Sequence, residues 1–239
     1  MKDGPIADLI EAASVPYRTL GRGVWHAARG KLRGDPVFAQ VLRLGPLARQ
    51  ERILDLGCGQ GLLAAWLQAA GDLHRSGAWP QGWPPPPRPV RYLGIDQSTR
   101  AIARARSALP PADRFRVGDI RTLPLEDADA VVLIDVLHYL PHDDQERVLG
   151  RAIRCLRPGG LLLLRIGDAA GGLPFQVSRR VDLLVARLRG HPLPRLYCRR
   201  LDEWQTLLQG LGCRWETLIV GRGAFSANVL ALARPGTAS

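Results

Sequence analysis

The sequence predicts an α/β fold, a doubly wound and mostly parallel sheet that ends in an antiparallel pair and carries an N-terminal helical cap. Three observations predict it. From Arg52 onward, short apolar runs alternate strictly with longer amphipathic stretches, which is the rhythm of strand and crossover helix. Near the C-terminus two apolar runs are joined by only a short Gly-containing link, and strands so closely joined pair as an antiparallel hairpin. Residues 6–50 show helical periodicity alone.

Two short helical patterns fill residues 6–50, and the second begins at Asp35-Pro36, where Asp caps the first amides and Pro fits the first helical position. Strands are expected at Arg52–Leu56, Val90–Ile95, Arg114–Val117, Ala130–Asp135 and Leu161–Ile166, with helices at Gly61–Ala70, Thr99–Leu109 and Asp143–Leu156 between them. A last helix at Asp202–Leu211 precedes the hairpin strands Trp215–Val220 and Asn228–Leu232. The expected division is a cap over 1–50 and a main domain over 51–239, interrupted at 71–89 and 167–200. The first insertion holds six prolines and reads as a surface loop. The second carries Val177, Val181, Leu184 and Leu188 on one helical face.

The chain has 239 residues, 46% of them apolar, enough to bury a sizeable core in one domain or two. This excludes a disordered chain and a disulfide-stapled miniprotein. Its four cysteines, Cys58, Cys155, Cys198 and Cys213, form no C-x-x-C pair, so neither a disulfide framework nor a zinc site is suggested. There is no run of 18 apolar residues and no apolar stretch at the start, which reads as a cytoplasmic protein without a membrane span. The net charge of +11 fits a polyanionic partner. It fits equally a codon bias toward Arg, which supplies 31 of the 33 basic residues.

The densest signal is Ile53-Leu54-Asp55-Leu56-Gly57-Cys58-Gly59-Gln60-Gly61, a buried strand followed by alternate glycines and then a helix. Glycines there let the chain turn sharply and let a ligand approach the backbone. The dinucleotide fingerprint needs another glycine where Leu62 stands, which weakens a pyrophosphate reading. Asp96 closes the next strand, where a carboxylate can accept both hydroxyls of a ribose. Asp119, in Val117-Gly118-Asp119-Ile120, follows the third strand. Acids at the ends of three successive strands are expected to face one crevice, although each taken alone also suits a helix cap or a turn.

With these motifs in this order, residues 50–235 resemble the class I S-adenosylmethionine-dependent methyltransferases, a seven-stranded Rossmann-like family. The resemblance rests on Asp55 to Gly61, on Asp96, on Gly118-Asp119-Ile120 and on Leu156-Arg157-Pro158-Gly159-Gly160. Ile134-Asp135-Val136-Leu137-His138-Tyr139-Leu140 is similar to the segment after strand four in small-molecule members. The resemblance implies S-adenosyl-L-methionine as cofactor. Gly57, Gly59 and Gly61 would then border its methionine part, Asp96 its ribose, Asp119 and Ile120 its adenine, and Asp135 would lie near its amino group, with Asp55, Cys58 and Gln97 also among the cofactor-binding residues.

Methyl transfer needs an acceptor held in line and kept from water. His138 is the candidate general base, since imidazole titrates near neutrality, and Tyr139 would orient it or the acceptor; packing over the cofactor is the alternative role for His138. His138 and His142 are four apart, but Pro141 between them and the lack of a third ligand argue against a metal. The acceptor is expected among the variable segments, with Tyr17, Arg195 and Arg199 facing it. The Arg-rich stretch from Arg179 to Arg200 suits an anionic acceptor, either free or linked to an acidic carrier protein, or else a solvated face. Three functions stay open: methylation of a small molecule, methylation of RNA or protein, and a cofactor-binding module without turnover. Nucleic acid is the less favoured partner, because Leu137-His138-Tyr139-Leu140 stands where an Asn-Pro-Pro-Tyr motif would act. Peripheral contact of the basic amphipathic segment with a lipid surface also stays open.

Overall fold

The computed structural model describes residues 4–167, 196–219 and 228–236. Its strands belong to one seven-stranded sheet of order β3-β2-β1-β4-β5-β7-β6. In chain order they are β1 (Arg52–Leu56), β2 (Arg91–Asp96), β3 (Phe115–Val117), β4 (Ala128–Ile134), β5 (Leu156–Gly167), β6 (Cys213–Ile219) and β7 (Asn228–Pro235). The chain divides into two compact units, residues 1–130 and 131–239.

In the first unit β1 pairs parallel with β2, and β2 with β3. The helices are α1 (Pro5–Ser14), α2 (Arg22–Gly34), α3 (Pro36–Leu44), α4 (Leu62–Arg75) and α5 (Thr99–Ala108), with a 3-10 segment at Val15–Leu20. The N-terminal region thus holds three helices where periodicity suggests two. Its apolar faces close over α4, where buried Trp66 donates its indole N–H to the Phe38 carbonyl at 2.7 Å and meets the Phe38 ring edge-on. Helix α4 runs five residues further than expected, to Arg75. The first proline of the insertion is Pro80, so the helix continues past Ala70 and ends at Arg75, ahead of Gly77 with φ of 76°.

The Asp35 cap forms as read, with its carboxylate accepting from Val37 N at 3.1 Å. Lys31 also pairs with it at 2.7 Å, but that ammonium is half exposed and adds little. Asp35→Ala is expected to cost about 1 kcal/mol, a fall in Tm of about 2–4 °C for a chain of this size. Thermal unfolding checks it, and Asp35→Asn should recover most of the loss.

In the second unit β7 lies antiparallel between β5 and β6, with Leu164 opposite Ala231 and Thr217 opposite the same residue. The expected antiparallel tail is therefore present. Strand β5 starts five residues earlier than the apolar run, although burial begins only at Gly160. Helix α6 (His142–Arg154) buries Gln145, Val148, Leu149 and Ala152, and α7 (Leu201–Gly210) buries Trp204 and Leu208. The stripe Val177, Val181, Leu184, Leu188 lies outside the described residues, as do Arg179 through Arg195. No helix among the described residues is long and apolar enough to cross a membrane.

Candidate functional site

In the first unit the alternate glycines form a tight loop between β1 and α4. Gly57, Gly59 and Gly61 have φ of 84°, 56° and 80°, in the left-handed region that side chains rarely adopt. Parallel pairing brings β2 alongside β1, so the loop closes on the end of β2. Gly57 N and Cys58 N both donate to the Ile95 carbonyl, at 2.8 and 3.1 Å. Gly59 N donates to Asp96 Oδ2 at 2.8 Å, while Ser98 N donates to Asp96 Oδ1 at the same distance. Each oxygen thus accepts one backbone N–H and keeps a further lone pair. The sequence spacing anticipated Asp96 at this strand end, and the loop amide that orients it is an addition from the structure.

Two glycines around the loop have different tasks. A Cβ on Gly94 would stand 2.8 Å from Cys58 Sγ and 2.9 Å from Phe115 Cδ1, so Gly94 is required for the loop to seat against β2. A Cβ on Gly59 would meet nothing within 4 Å. The loop therefore presents its backbone to open space at Gly59, beside the Asp96 carboxylate.

Tyr17 reaches this loop from the 3-10 segment. Fully buried, it donates its hydroxyl to the Gln60 carbonyl at 2.9 Å, and burial pushes the phenol's pKa up, which keeps it a neutral donor. Its expected place against an acceptor thus gives way, in this structure, to a contact with the loop itself.

Asp55 departs from the expected open row of acids. It is 3% exposed and accepts the hydroxyl of Tyr92. Burial pushes its carboxyl up to about 7, against the lowering effect of the Tyr92 hydrogen bond and with a further push from Asp96. The Cys58 thiol is likewise raised by burial and by the neighbouring Asp55 and Asp96. Asp119 grips its own turn, accepting from Arg121 N at 2.9 Å and pairing with the Arg121 guanidinium at 2.6 Å. Ile120 beside it is buried.

In the second unit β4 ends at Ile134 and is followed by Asp135, the one non-glycine residue with positive φ among the described residues (58°). Its carboxylate pairs at 3.1 Å with Arg165, a β5 residue only 3% exposed. The turn that follows carries His138 and Tyr139, whose rings lie 4.1 Å apart between centroids; Tyr139 is exposed. This turn is fastened by Gln145, fully buried on α6, whose side-chain amide donates to the carbonyls of Leu137, Leu140 and Tyr197. Tyr197 N in turn donates to the His138 carbonyl at 2.9 Å.

The expectation for Arg199 meets a guanidinium already engaged within the chain, with Nε on Gln145 Oε1 at 2.8 Å and Nη2 on Glu146 and the His142 carbonyl. Arg195 lies outside the described residues. Sequence reasoning missed Arg165, Gln145 and Tyr92. The first two had a signal. Arg165 is a lone charge in an apolar strand, and Gln145 is a polar residue at the helical spacing of Val148, Leu149 and Ala152, positions that fold only with a partner. Among the described residues no group of three or more His, Cys, Asp or Glu is placed to hold a metal ion.

An open α/β sheet whose first strand ends in a left-handed glycine loop, closed onto the acid of the next strand, has the layout of nucleoside-binding sheet proteins. Residues 54–164 match the family model described as a methyltransferase domain. The chain belongs to the class I S-adenosylmethionine-dependent methyltransferases. It is 30% identical over 194 residues to a trans-aconitate 2-methyltransferase of Methylobacterium nodulans, covering 76% of this chain and 66% of that one. It is 33% identical over 179 residues to the 27-O-demethylrifamycin SV methyltransferase of Amycolatopsis mediterranei, covering 72% and 57%. The magnesium protoporphyrin IX methyltransferase of Synechocystis PCC 6803, solved with bound S-adenosylhomocysteine, shares the fold. Its TM-score is 0.56 at 18% identity, over 92% of this chain and 93% of that one. The chain spans less than two thirds of the length of the two curated relatives.

Proposed function

We propose that the chain transfers a methyl group from S-adenosyl-L-methionine to a small-molecule acceptor. The observation that carries the proposal is the closure of the glycine loop on Asp96, which leaves a fixed, partly accepting carboxylate beside an open backbone surface at Gly59. These residues fit an adenosyl group: the carboxylate suits a pair of ribose hydroxyls, and the uncovered loop admits a ligand without a side chain in the way. Asp119 and Ile120 would border the base. When bound, the cofactor supplies a methyl group made electrophilic by its sulfonium sulfur.

The protein's own part is then to bind, orient and exclude water. Positioning alone lowers such a barrier by about 7–11 kcal/mol. His138 is the candidate to take a proton from the acceptor at an imidazole nitrogen, and Gln145 and Tyr197 hold the turn that carries it. The small-molecule class draws support from relatives whose names give trans-aconitate and a rifamycin as acceptors. The carrier-linked variant loses Arg199, whose guanidinium is engaged internally.

The test is direct. The protein is incubated with S-adenosylmethionine and a panel of small carboxylates, including trans-aconitate, together with phenols and polyketide-type hydroxyls. Formation of S-adenosylhomocysteine matched by an acceptor gaining one methylene in mass is the expected result. Cofactor binding without turnover on any acceptor, RNA and protein included, would leave the non-catalytic reading in its place.

A further inference from the structure

We infer that Tyr17 is a positioning residue for the cofactor loop, a clamp by which the N-terminal segment fixes the Gln60 peptide and so sets affinity for the adenosyl ligand. The inference deepens the reading above and rests on it.

The loop from Gly57 to Gly61 contains three glycines, each with many accessible conformations when unbound. Three anchors hold it. The Ile95 carbonyl takes the amides of Gly57 and Cys58, and Asp96 takes the amide of Gly59. Both anchors belong to the end of β2. The third is the Tyr17 hydroxyl on the Gln60 carbonyl, and it alone comes from outside the sheet, 43 positions away in the chain. It grips the carbonyl of Gln60, the residue after Gly59, whose own backbone faces open space beside Asp96.

Tyr17 is fully buried and sits in a 3-10 segment, Val15–Leu20, that follows α1 directly. Its ring therefore has one position, and its hydroxyl delivers that rigidity to the loop. A loop already held in its binding conformation does not spend ligand affinity on ordering itself. The bond that a buried hydroxyl makes to a backbone carbonyl is also the kind whose loss is felt, because the carbonyl is left without that donor.

Tyr17→Phe keeps the buried ring and removes only the hydroxyl. Titration calorimetry of the 239-residue chain with S-adenosylhomocysteine, well below the unfolding temperature, should show Kd raised about 5–10-fold. Hydrogen exchange at the amides of Gly59 to Gly61 should quicken in the unliganded variant. Asp35→Ala provides the control, since it destabilises the same N-terminal region without touching the loop, and its Kd should match the wild type. A Tyr17→Phe variant whose Kd stays within a factor of two of wild type, with unchanged exchange at the loop, overturns the clamp. So does an Asp35→Ala variant that weakens binding as much, because the effect would then follow stability alone. Wild-type protein that binds no S-adenosylhomocysteine would instead remove the cofactor reading itself, a distinct outcome from either.

Discussion

Asp96→Ala should weaken S-adenosylhomocysteine binding about 100-fold. The carboxylate stands at the end of β2 with Gly59 N on one oxygen and Ser98 N on the other, so its remaining lone pairs point from a fixed group. Hydrogen bonds to charged groups contribute about 1.5–3 kcal/mol, and a pair of ribose hydroxyls losing their acceptor falls in the range of a 100-fold change. Part of the loss arises in the protein, because Gly59 is released from the strand end and the loop must be ordered by the ligand. Asp96→Asn separates the two contributions. It keeps one carbonyl oxygen for a backbone amide but loses the charge, and its Kd should fall between those of the wild type and the alanine variant. Calorimetric titration of all three proteins checks this. An alanine variant that binds within twofold of wild type would show that Asp96 has no part in holding the nucleoside.

The second large effect concerns stability and its dependence on pH. Asp55 is buried against Tyr92 and its carboxyl is pushed from an ordinary 3.8 up to about 7. Between those values the folded chain holds a proton at Asp55 that the unfolded chain releases. Stability then falls as pH rises through this window and levels off above about 7. The displacement corresponds to roughly 4 kcal/mol between the two protonation states. Asp55→Asn has no charge to bury and still offers Tyr92 an acceptor oxygen. It should match the wild type only near or below pH 4, and its advantage should grow by roughly 2–3 kcal/mol between pH 5 and pH 8. Urea unfolding at the two pH values measures the difference. Equal stability of the two proteins at both would mean that Asp55 carries its charge in the fold without penalty.

These two acids show how far the sequence could be read. Asp96 was legible because strand, glycine loop and strand-end acid follow each other in an order that only one topology places together. Asp55 looked equivalent on paper. Its burial depends on the Tyr92 side chain reaching it from the neighbouring strand, and a single strand's pattern does not record what the next strand carries. The antiparallel tail was legible for a local reason, since two strands that close in sequence have only one way to pair. The extra length of α4 was hidden by a proline-rich insertion whose first five residues lack proline. The third N-terminal helix was hidden by the short break at Val15–Leu20, which disturbs helical periodicity without a strong turn signal.

The site residues divide along the same line. Glycines, capping Asp35 and strand-end Asp96 act through the backbone, and backbone demands leave marks at fixed spacing. Arg165, Gln145 and the Tyr17 hydroxyl act through long-range side-chain bonds, 30 to 54 positions apart in three of the contacts they make. Their presence was visible as polar groups on apolar faces, while their partners were not.

The most direct test of the account is a calorimetric titration of the unmodified protein with S-adenosylhomocysteine and, separately, with NAD. One S-adenosylhomocysteine per chain should bind, and at 100 times its Kd it should stabilise the fold by about 2.7 kcal/mol, while NAD gives no heat. Silence toward S-adenosylhomocysteine, or saturable binding of NAD at the same loop, would contradict the assignment.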